Sequence, residues 1–108
     1  MRDIFYDVKN LSLKDRRNLM KLAKAYSLEW WVDELDCSKS FTRQKIDMSF
    51  EEVLKKFKLS SHFIVVIRNG EYGEIAFSTL KEPDYFLWIN VSLEIFNEII
   101  KQFKLHKK

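Results

Sequence analysis

The sequence predicts an α+β fold, in which a three-stranded antiparallel meander is covered by three helices. Three short runs rich in β-branched and aromatic residues follow one another in the second half of the chain, at 62–68, 73–80 and 85–91. Asn69 and Gly70 separate the first two runs and are typical of a type I′ hairpin turn. Three further segments repeat apolar residues at helical spacing. Because such helices must bury one apolar side, we expect all three on the same face of the sheet.

The hairpin turn also predicts a strand register. If Asn69 and Gly70 are the only loop residues, Ile64 lies opposite Ile75. Side chains alternate across a strand, so this register predicts which of them share one face. The set consists of Ile64, Val66, Gly73, Ile75 and Phe77.

The third strand divides its side chains between an aliphatic and an aromatic set. Leu87 and Ile89 alternate with Phe86 and Trp88. We expect Leu87 and Ile89 to face the core, because Phe86 and Trp88 supply more aromatic surface than a solvated face needs. Trp88 should then be one of the most exposed tryptophans, or lie in a contact between copies of the chain.

Length and composition predict a single domain, residues 1–108. The two Gly and one Pro favour long regular elements over elaborate loops. No apolar run reaches membrane length, and the charged first residues lack the apolar core of a signal peptide. A lone Cys37 cannot form an internal disulfide. We therefore expect a cytoplasmic protein with no membrane association.

The first half of the chain predicts one helix and a short strand. An apolar cluster at 4–8 is too short to assign. Ser12 then resembles an N-cap, and a helix follows with Leu19 and Leu22 on its buried side and its basic residues facing solvent. The segment 28–33 alternates like a short fourth strand, with a helix that continues to Leu35 as the alternative.

The remaining segments predict a loop, two helices and a frayed tail. The polar and basic segment 36–47 is the least regular and is expected to be a loop. Ser49 and Ser92 resemble the N-caps of a second and a third helix, and the tail after Lys104 is expected to fray. We expect eight helical side chains to pack against the sheet. They are Leu19, Leu22, Val53, Leu54, Phe57, Ile95, Phe96 and Ile99.

No motif in the sequence carries a recognisable reaction chemistry. Both glycines lie in the hairpin, so no glycine-rich phosphate loop is predicted. Cys37 lies beside three acidic residues, but the two histidines, His62 and His106, are too far apart in sequence to complete a standard zinc set with it. Neither histidine is placed like a general base. We therefore expect no enzyme activity, no cofactor and no metal.

The charges predict an acidic and aromatic binding surface. The chain carries a net charge of +3, yet the segment 62–91 has two basic residues against four acidic ones. Aromatic anchors with a charged rim are typical of protein interfaces. The residues predicted to form this surface are Trp30, Trp31, Asp33, Glu34, Asp36, Glu82, Asp84, Phe86 and Trp88. The sequence thus favours a non-catalytic inhibitor, of the immunity or antitoxin kind, that occludes a basic protein such as a nuclease encoded by a neighbouring gene.

A nucleic-acid ligand is the alternative. The isoelectric point near 9.0 and the 15% aromatic content suit a protein that binds RNA or single-stranded DNA. A small basic ribonuclease would also fit, since its few catalytic side chains need no fixed spacing. However, the positive charge lies outside the aromatic sheet segment, whereas a phosphate-binding platform needs both together. The sequence does not predict an oligomeric state.

Overall fold

The computed structural model describes residues 2–36, 42–57, 62–79 and 84–108. These residues form seven strands and three helices. In chain order the elements are β1 (Ile4–Asp7), α1 (Leu13–Ala25), β2 (Glu29–Asp36), β3 (Thr42–Ile46), α2 (Phe50–Phe57), β4 (His62–Arg68), β5 (Tyr72–Ser78), β6 (Asp84–Val91), α3 (Leu93–Phe103) and β7 (His106–Lys107). The strands make one sheet in the order β3-β2-β6-β5-β4-β1-β7, and every neighbouring pair is antiparallel.

The α+β class is confirmed, but the three-stranded sheet is wrong. The predicted meander, β4 to β6, is only the middle of a seven-stranded sheet. The segment 28–33 does hold a strand, β2, which continues to Asp36 and is not a helix. The apolar cluster at 4–8 supplies β1, the segment predicted as a loop supplies β3, and the tail supplies β7.

The missed strands are short or polar, and their pairing partners hold them in place. β3 has Ile46 as its one large apolar residue and lies at the edge of the sheet, where polar strands are common. β7 follows a tight helix end: Lys104 takes a left-handed conformation with φ 53°, and the Leu105 backbone N–H donates to the Ile100 carbonyl at 3.0 Å. Leu105 is 7% exposed, so it anchors the tail beside β1.

The hairpin turn is confirmed, but its register is wrong by one residue. Asn69 and Gly70 both have positive φ, 53° and 70°, and the Glu71 N–H donates to the Arg68 carbonyl at 2.9 Å. Glu71 is nevertheless an extra loop residue, so Ile64 pairs with Ala76 instead of Ile75. A one-residue shift moves every side chain of a strand to the other face. It places Ile75, which is 0% exposed, in the core.

All three helices cover one face of the sheet, as predicted. Their N-caps are also confirmed: Ser12, Ser49 and Ser92 each accept a hydrogen bond from the backbone N–H three residues later. Of the eight predicted core side chains of the helices, six are buried and two, Leu22 and Ile95, are partly buried. No helix among the described segments is both long and apolar enough to span a membrane.

Gly73 lets α3 approach the sheet closely. A Cβ atom at Gly73 would lie 2.1 Å from Cδ1 of Phe96. Phe96 is fully buried and also makes an edge-to-face contact with Tyr6, with ring centroids 5.5 Å apart. The ring therefore occupies the space that any larger residue at position 73 would need.

Candidate functional site

The face of the sheet opposite the helices is called here the outer face, and strand register determines which side chains share it. Trp31 of β2 pairs with Trp88 of β6. Trp88 in turn pairs with Ala76 of β5, which pairs with Ile64 of β4. Directly opposed residues of a sheet point to the same side. The buried neighbours Leu87 and Ile89 face the helices, which confirms that Phe86 and Trp88 belong to the outer face.

Three aromatic side chains form a row across the outer face, here named the aromatic row: Trp31, Trp88 and Phe86. The Trp31 and Trp88 rings are 6.2 Å apart between centroids and inclined by 20°. The Phe86 and Trp88 rings are 6.3 Å apart and inclined by 17°. All three side chains are half-buried, so part of each ring surface is open to solvent. The rings form one continuous aromatic surface over two adjacent strands.

Asp33 fixes the central ring of the aromatic row. The Trp88 indole Nε1–H donates to Asp33 Oδ2 at 3.1 Å, which joins β6 to β2 through side chains as well as backbone. Asp33 also lies directly opposite Phe86 in the β2–β6 pair. A single carboxylate therefore sits against two of the three rings.

Directly opposite Trp88 and Phe86, β5 contributes two small side chains. Ala76 and Ser78 lie opposite Trp88 and Phe86 and are 4% and 7% exposed. On their other side lies β4, where Ile64 keeps 38% of its surface exposed. The apolar surface of the outer face thus extends from β2 across to β4.

An ion-pair cluster closes the far end of the outer face. Arg68 contacts Asp3 and Glu74, at 2.8 Å each. Burial alone would lower the pKa of Arg68, but its hydrogen bonds with both carboxylates outweigh burial and raise it. The hydrogen bond from Arg68, followed by that from the Asn69 backbone N–H, lowers the pKa of Asp3. The guanidinium also lies 5.8 Å from the ring centroid of Phe5. The cluster ties β1, β4 and β5 together.

The structure brings together four of the predicted surface residues. Trp31, Asp33, Phe86 and Trp88 share the outer face. Trp30 pairs with Ile89 and packs edge-to-face on Phe50 of α2, so it lies on the helix side. Alternation along β2 puts Glu34 on that side too. Asp36 is the last residue of β2 and Asp84 is the first residue of β6, and the structure does not describe their side chains. Glu82 lies outside the described residues.

Sequence reasoning missed several members of the outer face. Glu29 pairs with Asn90, beside the row formed by Trp31 and Trp88, and Glu29 is exposed. The Asn90 Oδ1 atom is buried without a hydrogen-bond partner. The predicted register placed Ile64 on the face of Ile75, whereas the structure pairs Ile64 with Ala76 on the outer face. The pairing of β2 with β6, which no local pattern announces, is what makes these residues neighbours.

No three His, Cys, Asp or Glu side chains among the described residues are grouped closely enough to hold a metal ion. Comparison of the chain with protein-family models, with curated proteins and with solved structures gave no match.

Proposed function

We propose that the protein is a non-catalytic binding module, most concretely a small inhibitor of the immunity or antitoxin kind. In this proposal the outer face of the sheet docks on a basic protein, such as a nuclease, and occludes its active site. One observation carries the proposal: the β2–β6 pair gathers Trp31, Trp88, Phe86 and Asp33 into one partly exposed patch.

The aromatic row has the properties of an interface anchor. Tryptophan is enriched among the residues that dominate binding energy, because a large rigid ring desolvates much area at a small cost in side-chain entropy. Here the Trp88 ring is held by Asp33 and lies between Trp31 and Phe86. A ring that is already oriented loses less conformational freedom on binding. The patch is thus suited to bind without rearrangement.

The charges near the aromatic row favour a basic partner. Arg68 is matched by Asp3 and Glu74 and contributes little net charge. Among the side chains described near the rings, Asp33 and the exposed Glu29 are acidic, and the exposed Lys45 pairs with Asp33 across the β2–β3 ladder. An acidic rim around apolar anchors speeds encounter with a basic surface and disfavours acidic ones.

Co-expression with the neighbouring genes, followed by pull-down and calorimetry, tests the proposal. Trp31→Ala and Trp88→Ala should each weaken the complex by about 2 kcal/mol, roughly 30-fold in Kd. Tyr26→Ala is the matched control, because Tyr26 is 58% exposed but follows α1 on the helix side. Unchanged affinity in both tryptophan variants, or the failure of any protein to co-purify, would reject this proposal.

A further inference from the structure

Helix α1 carries a line of cations on its solvent side. Lys14, Arg17, Lys21 and Lys24, here named the basic stripe, are spaced by three, four and three residues and so follow one side of the helix. The three lysines are exposed and Arg17 is half-buried. The buried side of α1, with Leu19, Met20 and Ala23, faces the core. The stripe therefore lies on the opposite side of the molecule from the outer face of the sheet.

The basic stripe holds most of the unbalanced charge of the protein. α1 has five basic residues and one acidic residue, a balance of +4, whereas the whole chain has +3. The helix contains no Glu, and Asp15 is three and four residues away from Asn18 and Leu19 rather than from a cation. No stripe residue makes an ion pair with a carboxylate of the described residues. The Nε atom of Arg17 is buried without a hydrogen-bond partner.

The spacing of the stripe works against the helix that carries it. Like charges three or four residues apart on a helix repel each other. The stripe contains three such pairs in succession: Lys14 with Arg17, Arg17 with Lys21, and Lys21 with Lys24. Ion pairs with the described residues do not offset this repulsion, although Lys24 Nζ lies 5.9 Å from the ring centroids of Trp30 and Phe50. An anion bound along the stripe would remove the repulsion. The pattern is therefore typical of a binding surface that lowers the stability of the free protein.

We propose that the basic stripe binds the phosphate backbone of a nucleic acid. The stripe extends about 15 Å along α1, which corresponds to roughly four phosphates of one strand along a duplex axis. Four cations thus meet a regular polyanion of similar charge spacing. Two residues after Lys24 in sequence, Tyr26 exposes 58% of its surface, and an exposed tyrosine ring can stack on an unpaired base.

The position of the apolar residues of α1 argues against a membrane as the ligand. A helix that lies in a membrane surface needs a free apolar side to insert between lipids. The apolar side of α1 is occupied, since Leu19, Met20 and Ala23 are each 0% exposed in the protein core. Binding would therefore rest on charge and on Tyr26. It would fall steeply with salt because each phosphate contact releases a counterion.

Fluorescence anisotropy with a labelled RNA strand and a labelled DNA duplex, each of about 20 nucleotides per strand, tests the proposal from 50 to 200 mM salt. Lys14→Glu and Lys21→Glu should each weaken binding about tenfold at the lowest salt and reduce the salt slope on the duplex by about 0.9. The same substitutions replace repulsive pairs with attractive ones. They should therefore raise Tm by about 2–5 °C, which separates lost binding from lost folding.

Lys55→Glu is the matched control, since Lys55 is exposed on α2 and lies outside the stripe. The substitution changes the net charge equally but should weaken binding by no more than about twofold. Equal losses in all three variants would show that net charge alone attracts the nucleic acid and would overturn the proposal. So would the absence of binding at 50 mM salt. Binding to phosphatidylglycerol vesicles in place of nucleic acid would overturn it as well.

Discussion

Two adjacent residues of β6 occupy different environments, and this difference can be measured. Leu87 is buried against the helices, with 1% of its surface exposed, whereas Trp88 is half-buried on the outer face. Leu87→Ala should cost about 2–5 kcal/mol of unfolding free energy through the cavity it leaves. Trp88→Ala should cost about 1–2 kcal/mol, because the hydrogen bond to Asp33 and the ring contacts that it removes lie at a more solvent-exposed site.

Urea denaturation of both variants measures the two losses. Trp88→Phe provides the matched control, since it keeps a ring in the aromatic row and removes the hydrogen bond to Asp33 together with part of the indole surface. Its loss should fall below that of Trp88→Ala. A larger loss for Trp88→Ala than for Leu87→Ala would reverse the assignment of the two faces.

The ion pair between Asp3 and Arg68 makes part of the stability depend on pH. Hydrogen bonds from Arg68 and from the Asn69 backbone keep the pKa of Asp3 lower in the folded chain than in the unfolded chain. A depressed folded-state pKa stabilises the fold above the unfolded pKa of about 3.9 and loses that effect as pH falls through the folded-state pKa. Asp3→Asn should therefore reduce the difference in unfolding free energy between pH 7 and acid.

Urea midpoints across this pH range test the effect. Glu71→Gln is the matched control, because Glu71 is an exposed carboxylate of the same hairpin without an ion pair to the described residues. Its pH profile should follow that of the wild type. If Asp3→Asn also follows the wild type, the ion pair adds nothing to pH-dependent stability.

At the scale of the elements, the helices could be predicted closely and half of the sheet could not. Helix signals are local: Ser12, Ser49 and Ser92 cap helices whose apolar spacing is visible within one segment. β3 and β7 carry no such pattern, because edge strands with polar side chains are formed by their pairing partners. Composition cannot predict a strand that forms only because a neighbouring strand pairs with it.

The hairpin shows how a correct turn can give a wrong face. Asn69 and Gly70 adopt the predicted conformation, yet one additional loop residue, Glu71, exchanges the two faces of β5. The choice between the registers depends on which side chains the helices can bury. Ile75 and Phe77 fill the core better than Glu74 and Ala76 would, and this preference is tertiary.

The contact of α3 with β5 depends on Gly73, which supports a double-mutant test. Gly73→Ala should destabilise the protein by about 1–3 kcal/mol, because the new methyl group collides with the buried Phe96 ring. Phe96→Ala removes the two nearest colliding atoms, Cδ1 and Cγ, and should be destabilising by itself. The double variant should lose less stability than the sum of the two single losses, with a coupling of about 1 kcal/mol. Additive losses in thermal or urea denaturation would show that Gly73 and Phe96 are energetically independent.

At the scale of the whole molecule, the aromatic row and the basic stripe lie on opposite sides of one layered fold. The alternation of β6 predicted that Phe86 and Trp88 share a face, and helical spacing predicted that the cations of α1 lie outward. The partners of Trp88 could not be predicted. Asp33 is 55 positions away in sequence, and only the β2–β6 ladder makes the two residues neighbours. Local sequence patterns thus predict which residue types share a face, but only long-range strand pairing brings the residues of the candidate site together.

This separation predicts that the two proposed binding activities can be removed independently. The sheet and its core lie between the aromatic row and the basic stripe, and substitutions that share no contacts usually have additive effects. Trp31→Ala and Trp88→Ala should each weaken protein binding roughly 30-fold and leave nucleic-acid affinity within about twofold. Lys21→Glu should have the opposite effect, measured by anisotropy and calorimetry on the same preparations.

Long-range electrostatics should couple the two surfaces only through the association rate of the protein partner. Lys21→Glu removes positive charge from the free protein, so a basic partner should associate faster at low salt even though Lys21 lies far from the outer face. The acceleration should vanish near 1 M salt, where screening extends only about 3 Å, and the dissociation rate should stay unchanged. Stopped-flow measurements with the tryptophan fluorescence of the aromatic row would follow both rates. A changed dissociation rate in Lys21→Glu would place α1 inside the protein interface and contradict the separation of the two surfaces.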